Sequence, residues 1–109
     1  MSLRHPNRDQ FELPDVLHAL GHPVRLCIVR ALAGGERPCG SLSPPVSKST
    51  MTHHWRVLRE AGVIHQRHAG REIVSTLRRA DLDTCFPGLL TAVLRDERVH
   101  TPETTDAQR

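Results

Sequence analysis

Three cysteines, eight histidines and twelve carboxylates are the residues of this chain whose chemistry reaches beyond packing, and their spacing decides what that chemistry is. Catalysis finds no support. There is no zinc-protease spacing, no paired carboxylates and no cysteine-histidine pair in a plausible cleft. Lys48-Ser49-Thr50 looks like the end of a phosphate-binding loop, but Ser47 stands where glycine is required and no glycine-rich turn precedes it. Cys27, Cys39 and Cys85 are an odd number without a paired framework, so structural disulfides are not expected. Thiol oxidation through Cys27 and Cys39 is an open alternative; a bridge there needs Cα atoms within about 7 Å. Arg37 is a basic neighbour expected to lower the pKa of Cys39. No cofactor is expected, and the inert reading, a buried Cys27 and a semi-exposed Cys39, stands beside the redox one.

Hydrogen-bonding and cationic side chains are arranged more tellingly. Ser47, Lys48, Ser49, Thr50, Thr52, His53 and Arg56 crowd one short stretch, and Arg67 and Arg71 follow. Residues 46–79 carry seven basic groups against two acidic ones, whereas residues 80–109 carry three against six. A basic middle of this kind suits a polyanion, although a solvated basic face is its bland counterpart.

The elements that position these groups follow from periodicity and breakers. Pro14 opens a short helix to about Leu20, with Val16, Leu17 and Leu20 on its apolar face and Gly21 at its end. Pro23 opens a second, in which Val24, Cys27, Ile28 and Ala31 form one stripe and Gly34-Gly35 is the stop. Pro44 and Pro45 limit a third helix, between Cys39 and Val46, to about one turn. Ser49 is a good N-cap for a fourth helix from Thr50 to Glu60 or Ala61, with Met51, Trp55 and Leu58 buried and Gly62 at its end. Residues 63–67 and 72–77, β-branched and separated by a loop containing Gly70, read as a hairpin. A last helix from Asp81 to about Val99 carries Phe86, Leu89, Leu90, Val93 and Leu94 at i, i+3, i+4, i+7 and i+8.

The fold class is therefore mainly α with a two-stranded β-hairpin, a winged helix-turn-helix in the order α-α-α-α-β-β-α. Residues 1–10 and 101–109 read as flexible tails around a single DNA-binding domain over 11–100. Thr50, Thr52, His53 and Arg56 lie off the buried face of the fourth helix and are placed to read base edges in a major groove. Ser47, Lys48 and Ser49 precede them, where free backbone N–H groups suit phosphate, and Arg67 and Arg71 arm the wing.

Ala19-Leu20-Gly21-His22-Pro23-Val24-Arg25-Leu26, followed by the stretch from Ser49 to Ile64 and then Gly70-Arg71 at wing distance, resembles the ArsR/SmtB repressors over roughly residues 15–95. The resemblance implies a homodimeric repressor of double-stranded DNA with a palindromic operator, paired through terminal helices and released by an inducer. It adds dimerisation to the domain over 11–100 and assigns Val16, Leu17, Leu20, Phe86, Leu89, Leu90, Val93 and Leu94 to the dimer interface. Metal-sensing relatives carry a Cys-x-Cys pair where this chain has Pro38-Cys39-Gly40, so that site is not expected. Asp81, Asp83, Cys85, Asp96, Glu97 and His100 do not reproduce the paired ligands of the terminal-helix metal site either. No stretch approaches the ~20 apolar residues of a membrane span, and the polar N-terminus lacks a signal-peptide run, so a cytoplasmic location without membrane contact is expected. The rival binding function is a winged helix that docks protein; it fits less well because Lys48, Arg56, Arg67 and Arg71 are all present.

Overall fold

The computed structural model describes residues 3–39 and 46–95. Two helices open the domain: α1, Leu13–Leu20, with proline in its first turn, and α2, Pro23–Ala33, where the His22 ring accepts the Val24 N–H at 3.1 Å. The chain turns by 97° between them, and no single described helix is long and apolar enough to cross a membrane. The buried face of α2 differs from the expected stripe by one residue. Arg25, Ile28, Val29 and Leu32 point inward, while Val24, Cys27 and Ala31 are half-buried. The rotation has a polar cause: the Arg25 guanidinium is held inside by carbonyls of α1, donating from Nε to Ala19 O at 2.7 Å.

The short third helix expected between Cys39 and Val46 falls on residues 40–45, outside the described residues. Helix α3, Lys48–Ala61, begins two residues earlier than expected, because Ser47 rather than Ser49 is its N-cap. It ends at Gly62, whose φ of +93 lets its own N–H reach Arg59 O while Val63 N–H reaches Leu58 O at 3.0 Å. A side chain at Gly62 would also strike the Phe11 ring, since a Cβ there lies 2.6 Å from Cζ.

The hairpin of β2, Ile64–Ala69, and β3, Glu72–Leu77, pairs Ile64 with Leu77 through to Ala69 with Glu72, leaving Gly70-Arg71 as its tip. It gains a third strand. β1, Arg37–Pro38, lies antiparallel to β3, giving the order β1-β3-β2. The single last helix expected from Asp81 to Val99 is two: α4, Arg79–Cys85, and α5, Leu89–Arg95. Pro87 explains the break, since it lacks an N–H and drives Phe86 out of helical geometry, to φ −135 and ψ 75. Residues 96–99 lie outside the described residues.

The core gathers Val16, Ala19, Ile28, Val29, Leu58, Val63, Ile64, Leu82 and Leu90, drawing on all five helices and the hairpin. The segment before α1, read from sequence as a flexible tail, is docked. A one-turn 3₁₀ helix at Arg8–Gln10 is closed by a reciprocal Asn7/Gln10 capping box, and the His5 ring stacks on His65 with centroids 4.1 Å apart. Arg78 clamps the same segment, donating to Pro6 O at 2.8 Å.

Candidate nucleic-acid interface

Ser47 organises the start of α3: its Oγ accepts the Thr50 N–H at 3.2 Å and donates to Thr50 Oγ1 at 2.9 Å. Lys48 and Ser49 therefore occupy the first turn, where orphan N–H groups and the positive end of the dipole face solvent. Ser47, Lys48, Ser49, Thr50, Thr52, His53 and Arg56 are all exposed, while Met51, His54, Trp55, Leu58 and Ala61 bury the opposite face. Helix geometry thus separates the polar positions from the anchoring ones. Thr52 is partly committed, its hydroxyl donating to Lys48 O at 3.0 Å.

The two wing arginines part company. Arg71 is exposed at the tip and has no partner among the described residues. Arg67 is exposed but donates to both carboxylate oxygens of Glu36, at 3.1 and 3.0 Å, so it is held against the start of β1 rather than offered as a free cation. The sequence separation of the pair hides this, because only the pairing of β1 with β3 brings Glu36 within reach of Arg67 across the sheet.

The residues assigned to a dimer interface also divide. Val16, Leu20 and Leu90 are buried within this chain, so they belong to its own core and offer no surface. Leu17 is 49% exposed, Phe86, Leu89, Val93 and Leu94 are half-buried, and Leu13, not anticipated, is 42% exposed one turn before Leu17. Cys27, Cys39 and Cys85 are free thiols. Cys39 Sγ lies 3.3 Å from Ser75 Oγ and accepts from Gln66 Nε2 at 3.3 Å. Burial pushes this thiol up despite those two bonds, the reverse of the effect expected from Arg37, whose Nε is instead turned to Ala31 O. Among the described residues no group of three or more His, Cys, Asp or Glu side chains is placed to hold a metal ion. Asp81 is engaged by Arg78 and Arg8, Asp83 by Arg79, and Asp96, Glu97 and His100 lie outside the described residues.

Sequence reasoning missed Arg25 and His54. Arg25 Nη1 donates to His54 Nδ1 at 2.9 Å, joining α2 to the buried side of α3. The available signal was a lone arginine beside apolar positions of α2, and a His-His pair that a helix must split between two faces. A pocket of about 500 Å³ beside the wing root, lined by His5, His65, Arg78 and Asp81, was likewise invisible without the docked N-terminal segment.

The chain matches a helix-turn-helix domain family over residues 20–67. It is 34% identical to an uncharacterized HTH-type transcriptional regulator, YceK, of Bacillus subtilis over 69% of this chain and 79% of the relative. With the HTH-type transcriptional regulator NmtR of Mycobacterium tuberculosis the identity is 34%, over 82% of this chain and 73% of that one. The crystal structure of the transcriptional repressor BigR from Xylella fastidiosa superposes with a TM-score of 0.55 at 31% identity, covering 68% of this chain and 85% of that one. The chain belongs to the ArsR/SmtB-type winged helix-turn-helix transcriptional regulators. In this ArsR/SmtB-type domain β2-β3 is the wing, and α3 turns its polar side chains to solvent while its apolar face is held in the core.

Proposed function

We propose that this protein is a sequence-specific repressor that binds double-stranded DNA as a homodimer in the cytoplasm and lets go on an inducing signal. The observation that carries the reading is the clean split of α3: Thr50, Thr52, His53 and Arg56 are exposed on one side, while Met51, Trp55 and Leu58 fix the other to the core. In this reading those four side chains read base edges in the major groove, Ser47, Lys48 and Ser49 hold phosphate, and Arg71 reaches the backbone or minor groove beside it. Leu13 and Leu17 on α1, with Phe86, Leu89, Val93 and Leu94, supply the apolar surface for a second copy. A dimer calls for a palindromic operator with half-site centres about one helical turn, ~10 bp, apart.

Electrophoretic titration of promoter fragments across a salt series is the test. Each phosphate neutralised contributes a slope of about −0.9 in log K against log salt, so a slope near zero removes DNA as the partner. A protein that stays monomeric through its binding range removes the dimer alone.

A further inference from the structure

Arg25 is a buried cation, 5% exposed, and among the described residues no carboxylate pairs with it. Its Nε donates to Ala19 O at 2.7 Å and its Nη2 to His18 O at 3.2 Å. Both carbonyls belong to the last turn of α1, the negative end of that helix, which offsets part of the cost of keeping a guanidinium out of water. One more N–H, on Nη1, goes across to His54 Nδ1 at 2.9 Å. Since a guanidinium only donates, Nδ1 must be the unprotonated nitrogen. His54 is 4% exposed and sits between His53, which faces solvent, and Trp55, which is buried.

We infer that Arg25 and His54 are the positioning pair of the DNA-reading helix: Arg25 ties the end of α1 to the middle of α3, and it does so only while His54 is neutral. This rests on the DNA-binding reading above. The groups facing the His54 ring are Arg25, and His22 at the start of α2 with ring centroids 4.5 Å apart, while His53 is its neighbour on α3 itself at 5.8 Å. Burial, then the charges of His22, Arg25 and His53, hold the His54 pKa below the usual imidazole value. A proton on Nδ1 removes the acceptor and sets two cations side by side in a nearly dry site, so α3 must shift or tilt. Thr50, Thr52, His53 and Arg56 ride on the same helix, so what is lost first is discrimination between sequences rather than attraction to DNA.

The experiment uses the full chain, a duplex enriched by the wild-type protein from a random-sequence library, and a scrambled duplex of equal length. The ratio of the two affinities is followed from about pH 7.5 to about pH 5.5, the range in which imidazoles titrate. For the wild type the ratio falls about tenfold on acidification, the size of effect that follows when a buried acceptor is lost. His54→Asn keeps an oxygen near the Nδ1 position and cannot take up a proton there, so its profile is clearly flatter than the wild type's; His54→Leu, without an acceptor, discriminates poorly already at neutral pH. A His54→Asn profile that follows the wild type overturns the proposal, and this arm stands even if His54→Leu fails to fold. If the wild type enriches no duplex, the DNA reading itself falls and the pair's role with it.

Discussion

The backbone N–H of Gln66 donates to Nε2 of His5 at 2.9 Å, across 61 residues of sequence. Gln66 lies on β2, an outer strand of the sheet, so this bond satisfies a donor that sheet pairing leaves open. It also requires His5 to be neutral at Nε2.

Acid is expected to undo that contact. Burial, reinforced by the charges of His65, Arg59 and Arg78, holds the His5 pKa below its usual value, with a hydrogen bond to the Leu3 backbone opposing. The unfolded chain then takes up the proton more readily than the folded one. Stability from His5 is full above about pH 6.5 and declines as pH falls through the lowered native value. Hydrogen exchange at the Gln66 amide, corrected for its intrinsic rate, should accelerate below that pH in the wild type and at every pH in His5→Phe. Equal protection in the two proteins would remove the contact from solution.

Gly62→Ala should destabilise the domain by about 2–4 kcal/mol, through a left-handed backbone and a clash with Phe11. Urea unfolding of the single and double variants separates the two causes. Phe11→Ala relieves only the clash, so the cycle should show a coupling of about 1 kcal/mol or more; additive losses would mean that the ring moves aside freely.

Lys48→Ala and Arg71→Ala should weaken binding to all duplexes alike and each reduce the salt slope by about 0.9. Arg56→Ala should instead flatten sequence preference, at about 1–3 kcal/mol for the base it reads. Binding-site selection with each variant checks this, and a shifted consensus for Lys48→Ala would reverse the assignment of roles.

Cys39 should alkylate at least about tenfold more slowly in the folded protein than in urea, because burial raises its thiol and Gln66 and Ser75 occupy it. Mass spectrometry of iodoacetamide-treated protein distinguishes it from Cys27 and Cys85. A folded-state rate matching the denatured one would show the thiol to be open.

The parts legible in the sequence were those governed by local rules. Prolines at helix starts, glycines at helix ends and the alternation around Gly70 placed α1, α2, α3 and the hairpin, and the polar side of α3 followed from its period. What escaped was set by neighbours distant in the chain. β1 exists because Arg37 and Pro38 find Ser75 and Val74, and the segment around His5 is ordered by Gln66 and Arg78. The inward turn of Arg25 depends on carbonyls of another helix. Two misses were local and avoidable: Pro87 marks the break between α4 and α5, and Ser47 caps α3 as well by type as Ser49 does.

Glu36 gives Arg67 a built-in counterion. A phosphate arriving at this side of the wing would have to compete with that carboxylate for the guanidinium, so breaking the Arg67–Glu36 pair offsets part of what the new contact gains. Of the two wing arginines, Arg71 is the one whose charge no neighbouring carboxylate already answers among the described residues.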